Sequence, residues 1–220
     1  MSRIEAVFFD VGETIVDETR EYGTWADWLD VPRHTFSTVF GAVIARGGDY
    51  RQTFRYFRPG FDLETERERR QEAGQPETFG EENLYPDARP CLGELQQMGL
   101  RIGLAGNQTA RAEQILKSLD LPVDVIGTSD GWGAEKPSPE FFAQLLEEAS
   151  CAAGSVLYVG DRLDNDIRPA QHAGMNTALI RRGPWGFIVD DETISGRCLF
   201  RLSGLAVLPG LIREHNVQQS

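Results

Sequence analysis

Short apolar runs punctuate this chain at intervals that suit a layered fold. Ile4–Phe9 is apolar except for Glu5 and ends in Asp10 and a nearby glycine, so it reads as a buried strand with a polar group at its C-terminal end. Similar runs recur at Leu100–Ala105, Val123–Ile126, Val156–Val159 and Thr177–Ile180. Between them the apolar spacing becomes helical, over residues 88–98, 109–119, 139–150 and 165–173. Strands alternating with helices imply right-handed crossovers and hence a parallel sheet with helices on both faces. The predicted fold class is α/β.

Residues 17–87 have a different texture. Phe36, Val39, Phe40, Val43 and Ile44 fall on one helical face, and Gly47–Gly48 ends that helix. An aromatic-rich helix with Tyr50, Phe54 and Phe57 follows, up to Arg58–Pro59–Gly60. Glu64–Arg70 is so highly charged that a solvated helix or loop is expected. The segment 17–87 therefore reads as a helical insertion, a cap domain seated over the sheet edge, while 1–16 and 88–220 form the α/β core. Trp25 and Trp28 lie one turn apart and suit packing within the cap. Arg51, Arg55 and Arg58 share a helix face that suits either an anionic ligand or pairing with nearby acids.

Charge removes several classes of partner. The 220 residues hold 34 acidic and 22 basic side chains, a formal net charge of -12. Such a chain gains nothing from counterion release on nucleic acid, and an anionic membrane repels it. No apolar run approaches the roughly 18 residues of a membrane span, and the opening residues lead straight into a strand pattern without a signal peptide. The three cysteines, Cys91, Cys151 and Cys198, are far apart and lack CxxC spacing, which argues against a disulfide framework or a thiolate zinc site. A reduced, cytoplasmic location is expected. A monomer and a homodimer are both compatible with the pattern. Of the histidines, His172 at a helix end is expected to be structural, His34 to lie on the surface and His215 to sit in a frayed tail.

In open parallel sheets, ligands bind beyond the carboxyl ends of the strands, where strand order reverses. The residues just after the predicted strands are Asp10, Asn107, Lys136, Asp161, Asp164 and Asp166. Carboxylates grouped with one lysine, in the absence of Cys or His, suit a hard cation such as Mg²⁺ and a phosphate. Lys136 and Lys117 are the only lysines in the sequence. A carboxylate can also attack phosphorus itself, giving an aspartyl-phosphate that water later opens, and a mobile cap would keep water out meanwhile. Each acid taken singly also suits a turn or helix cap; Asp164 and Asp166 could cap the helix that starts near Asn165.

Four segments, taken in order, carry a resemblance: Phe8-Phe9-Asp10-Val11-Gly12-Glu13-Thr14-Ile15-Val16-Asp17, Ile102-Gly103-Leu104-Ala105-Gly106-Asn107, Glu135-Lys136-Pro137-Ser138-Pro139-Glu140 and Tyr158-Val159-Gly160-Asp161-Arg162-Leu163-Asp164-Asn165-Asp166. Together they resemble the four motifs of the haloacid dehalogenase-like hydrolase superfamily, in its C1-capped phosphatase-type branch. The resemblance implies a Rossmannoid parallel sheet with a helical cap inserted after the first strand. It implies Asp10 as nucleophile and Lys136 as the charge that neutralises it and the transferring phosphoryl group. Mg²⁺ would be held by Asp10, Asp161, Asp166 and the backbone carbonyl of Gly12, with Asn107 and Gly106 beside the phosphate oxygens. The implied substrate is a small phosphorylated metabolite.

Two positions depart from the pattern. Phosphatases of the family carry a second Asp where this chain has Gly12, which removes a general acid worth typically about 10²–10⁴ in rate. Glu13 would replace it only by turning its side chain toward the site. Gly106 stands where the family places Ser or Thr, so one hydrogen bond to phosphate, roughly 1.5–3 kcal/mol, is missing; the backbone N–H of Asn107 is a partial substitute. Phosphonate-cleaving relatives need a cap lysine, and residues 17–87 have none. Dehalogenating relatives place a Tyr at position 12 and use no metal, which the acidic fourth motif argues against. The expected function is a Mg²⁺-dependent phosphatase of reduced activity. The alternative is a catalytically inactive member that binds a phosphorylated ligand or a protein partner.

Overall fold

The computed structural model describes residues 2–219. Six parallel strands form one sheet: β1 (Ala6–Phe9), β2 (Arg101–Gly106), β3 (Val125–Thr128), β4 (Val156–Gly160), β5 (Asn176–Ile180) and β6 (Phe200–Leu202), in the order β3-β2-β1-β4-β5-β6. The chain first builds outward from β1 through β2 to β3 and then returns to β4 on the other side of β1. The crevice at that reversal lies beyond the C-terminal ends of β1 and β4. The expected α/β class is the observed one. Five strands were legible as apolar runs, although β3 begins two residues later than expected. The three-residue edge strand β6, with an exposed Arg201 at its centre, carries too little apolar signal to be read.

The chain divides into two compact units, Met1–Asp17 with Leu84–Ser220, and Glu18–Asn83. In the first, β1 is buried along its whole length. Ala6 and Phe8 face a cluster with Phe141, Phe142 and Leu145 of the helix Pro139–Ala149 and with Tyr158 of β4. Val7 and Phe9, which alternation sends to the other face, are equally buried. Where β1 and β2 pair, Phe8 stands opposite Gly103, and a Cβ on Gly103 would come within 2.2 Å of the Phe8 ring.

The second unit is helical, comprising Thr19–Trp28, Arg33–Ala45, Arg51–Phe57 and Leu63–Glu72. Its core is aromatic. Phe54 stacks on Phe61 with centroids 4.7 Å apart and meets Trp25 and Phe36 edge-on. The charged run expected to be solvated departs from that reading at two residues, because Glu66 and Arg70 are buried. Glu66 accepts from Trp28 Nε1 at 2.8 Å and pairs with Arg58 and Arg69, while the Arg70 guanidinium lies 4.1 Å over the Trp25 ring. Burial is tolerated here because each charge has partners. Arg58 pairs with Glu66 and Arg51 with Asp49, an acid close by in each case. Arg55 reaches the Phe61 carbonyl at 3.5 Å.

Two histidine expectations change. His215 is not in a frayed tail: the helix Leu208–Gln218 buries it, and its Nε2 lies 3.0 Å from the Ser2 carbonyl. His172 ends the helix Arg168–His172 exposed to solvent rather than packed. His34 is on the surface. No helix among the described residues is long and apolar enough to cross a membrane, and the three cysteines are unpaired.

The Phe8–Gly103 contact yields a stability prediction. Gly103→Ala overpacks the sheet and lowers stability by about 1–3 kcal/mol. Phe8→Leu in the same chain recovers part of that loss, because the ring is the obstacle. Thermal midpoints of the two single variants and the double variant measure it; equal losses with and without the ring contradict the packing argument.

Candidate functional site

Asp10 is the first residue after β1, and its backbone N–H donates to the Val159 carbonyl at 2.8 Å, which seats it beside the end of β4. Asp161 follows β4 directly. The π-helical turn Leu163–Ile167 then carries Asp166 back toward it. Asp166 Oδ2 accepts from the Arg162 backbone N–H at 3.0 Å, a local capping contact, while Oδ1 points the other way. Ligand oxygens of Asp10, Asp161 and Asp166 lie within 4.8 Å of one another.

Lys136 enters from the loop before the helix Pro139–Ala149. Its ammonium donates to Asp10 Oδ1 and to Asp166 Oδ1, both at 2.6 Å, and to the Tyr158 hydroxyl at 3.1 Å. Tyr158 in turn donates to the Ala105 carbonyl at 2.8 Å. Asn107 fixes the lysine's backbone: its Oδ1 accepts from Lys136 N at 2.7 Å, and its Nδ2 donates to the Lys136 carbonyl at 2.8 Å. The Asn107 amide is thus engaged with Lys136, and its backbone N–H is the group left for an anion.

Electrostatics follow from burial. The Lys136 side chain is 1% exposed. Burial alone would lower its pKa, but the Asp10 and Asp166 carboxylates outweigh it and hold the ammonium well above its ordinary range. Burial, and then the charges of Asp166, Asp10 and Glu13, push the Asp161 carboxyl well up. Burial and Asp10 raise Asp166 against the pull of Lys136.

Asp161 Oδ2 is buried without a hydrogen-bond partner among the described residues. An orphaned carboxylate oxygen on an acid grouped with two more carboxylates suits a hard cation, and an all-oxygen donor set fits Mg²⁺. The residues present therefore fit the ion that the sequence motifs imply.

The loop after Asp10 is tied down from elsewhere in the chain. Glu13, with a positive φ of 52°, is buried, and its Oε2 accepts from the Tyr85 hydroxyl at 2.5 Å. Its methylenes fill the space that a Cβ on Gly183 would occupy, the Cγ being 2.5 Å from that point. Arg182 donates to the Thr14 carbonyl at 2.9 Å, pairs with Asp87 and lies 4.1 Å over the Tyr85 ring. Burial, followed by the Glu13 carboxylate, raises the Tyr85 phenol far above its ordinary value, so it stays a donor. The Glu13 carboxylate is thus engaged by Tyr85, and Gly12 beside it offers only backbone.

Sequence reasoning did not single out Tyr158, Tyr85 or Arg182. Tyr158 was hidden as one apolar member of a strand, and the other two lie far from the motifs they support. Asp164 remains at the rim and pairs with Arg162 at 2.8 Å.

Residues 4–174 match the model of the haloacid dehalogenase-like hydrolase family. The chain belongs to that family. Among curated relatives it is similar to glyceraldehyde 3-phosphate phosphatases, at 37% identity for that of Methanocaldococcus jannaschii over 49% of each chain. For the Pyrococcus abyssi protein the identity is 28% over 82% of each chain. It is also 37% identical to the Methanopyrus kandleri enzyme, over 46% of this chain and 45% of that one, so the chain spans about half the length of the first curated relatives it matches. Among solved structures, the HAD-hydrolase YfnB of Bacillus subtilis, bound to magnesium, shares the fold with a TM-score of 0.73 at 19% identity, over 96% of this chain and 99% of that one. The haloacid dehalogenase-like fold is thus shared across nearly the whole chain.

A prediction follows from the orphaned oxygen. A carboxyl whose pKa is raised on folding costs stability as pH rises through that value, so its neutral isostere should stabilise the metal-free protein at neutral pH. Asp161→Asn is expected to raise the thermal midpoint in EDTA by about 2–4 °C, equivalent to about 1 kcal/mol in a chain of this size. The same variant is expected to lose the upward shift that millimolar Mg²⁺ gives the parent. A variant that melts lower in EDTA and keeps its Mg²⁺ shift contradicts the assignment.

Proposed function

We propose that this protein is a Mg²⁺-dependent phosphatase that acts on a small phosphorylated metabolite through an aspartyl-phosphate at Asp10. The observation that carries the reading is the Lys136 ammonium held 2.6 Å from both Asp10 and Asp166 in a buried crevice. Asp10, Asp161, Asp166 and the Gly12 carbonyl would hold the ion. When bound, it supplies positive charge against the phosphoryl oxygens.

Each remaining part of the chemistry falls to this chain. Lys136 holds the Asp10 carboxylate fixed in direction through their 2.6 Å contact, which lowers the reorganisation needed for attack. An Asp10 carboxylate oxygen forms a bond to phosphorus while the ester oxygen leaves with its bonding electrons. The backbone N–H of Asn107 meets a phosphoryl oxygen, in the absence of a hydroxyl at Gly106. Water then attacks phosphorus and releases Asp10. Gly12 has no proton to give the leaving oxygen, and the Glu13 carboxylate is occupied by Tyr85, so esters whose leaving group departs unprotonated are favoured. The glyceraldehyde 3-phosphate phosphatases among its relatives make triose phosphates natural first substrates to assay. A cytoplasmic setting accords with unpaired cysteines.

The same two glycines favour a second reading, a non-catalytic protein that binds a phosphorylated ligand. Initial rates with Mg²⁺ on an activated aryl phosphate and an alkyl phosphate separate the two. The phosphatase reading predicts aryl turnover well above alkyl turnover and loss of both in Asp10→Asn. Absence of turnover on every ester, together with stabilisation by inorganic phosphate, supports the binder instead. Gly12→Asp tests the missing acid: alkyl turnover should rise, by up to about 10²–10⁴. Unchanged alkyl turnover sinks that argument.

A further inference from the structure

The peptide unit that joins Gly12 to Glu13 carries the one backbone oxygen in the proposed ion site. That unit is planar and trans, so its C=O points opposite to its N–H. The N–H donates to the Val16 carbonyl at 2.8 Å, which turns the Gly12 oxygen away from Val16. The other backbone bonds of the loop, from the N–H groups of Thr14, Ile15 and Val16, all end on the Val11 carbonyl and leave the Gly12 oxygen unused.

The plane of that peptide unit depends on the backbone of residue 13. Glu13 holds a φ of 52°, in the left-handed region that a residue with a Cβ adopts only at a cost, and it buries a carboxylate as well. Two contacts from distant parts of the chain hold it there. The Tyr85 hydroxyl donates to Glu13 Oε2 at 2.5 Å. Gly183 leaves the space that the Glu13 side chain fills: a Cβ at 183 would lie 2.5 Å from Glu13 Cγ and 2.7 Å from its Cβ and Cδ.

On the metal reading proposed above, we infer that Glu13, Tyr85 and Gly183 form a latch that sets the Gly12 carbonyl for the divalent ion. All three act through that carbonyl and are positioning residues. When the latch is released, residue 13 relaxes toward negative φ and the Gly12–Glu13 peptide turns with it, so the site loses a correctly aimed ligand while its three carboxylates stay in place.

Calorimetric titration with Mg²⁺ reads the latch without any turnover. Tyr85→Phe removes the hydroxyl but keeps the ring over which Arg182 lies. It should weaken Mg²⁺ binding roughly tenfold, the usual scale for losing a group that orients a metal ligand. Gly183→Ala, which presses on the same side chain from its other end, should weaken binding likewise. In a Glu13→Gly background, where residue 13 keeps its φ unaided, each substitution should change the affinity by less than about twofold. Unchanged affinity in Tyr85→Phe overturns the inference, as does an equal loss in the parent and Glu13→Gly backgrounds. A parent that binds Mg²⁺ no better than Asp161→Asn sinks the metal reading itself, and the latch with it; a parent that binds well, beside a Tyr85→Phe variant that binds equally well, sinks the latch alone.

Discussion

A single buried ammonium organises this protein's crevice. Lys136 bridges two carboxylates, Asp10 and Asp166, that come from different strands, and a third, Asp161, lies within 4.8 Å of both. With all three acids ionised, one lysine leaves a net charge of two negatives in a place nearly closed to water. Such an imbalance is costly in a low-dielectric setting unless a cation is supplied. The raised pKa of Asp161 and its unpartnered oxygen are two expressions of that deficit. The proposed divalent ion thus has support in charge and burial as well as in the family pattern.

The lysine holds its position through contacts spread along the chain. Asn107, just past β2, grips its backbone from both sides, and Tyr158 in β4 steadies its ammonium. Arg182 and Tyr85 secure the loop between Asp10 and Val16 through Thr14 and Glu13. The parallel sheet brings these pieces to one end, because every strand delivers its following loop to the same edge. The two glycines that depart from the family pattern lie in this fixed frame and have different effects. At position 12 the missing side chain removes a proton donor. At position 106 it removes the hydroxyl that the family pattern places beside phosphate.

The sheet was legible because its central strands are short, apolar and bounded by polar residues, and the acids were legible because they follow those strands directly. Lys136 stood out because the chain has only one other lysine. What the sequence concealed was support rather than chemistry. Tyr158 reads as one more apolar strand residue until its hydroxyl is seen between Lys136 and Ala105. Tyr85 and Arg182 are 72 and 168 residues away from their partners Glu13 and Thr14, and no local period reports such a pairing. The same limit made Glu66 and Arg70 look solvated: a charged helix shows its buried face only when its partners are in place. His215 was misjudged for a related reason, since terminal position says little about a helix that packs back on the first residues.

The central claim is that the Asp10 carboxylate, directed by Lys136, takes up the phosphoryl group. Acid quenching during turnover of an aryl phosphate, hydride reduction of any acyl phosphate and peptide mass spectrometry measure this directly. The account predicts that position 10 alone is converted to homoserine, in proportion to active protein, and that the signal disappears when Lys136 is replaced by Met. Sustained turnover with Asp10 recovered unmodified, or with the reduced residue found at a different acid, would contradict it.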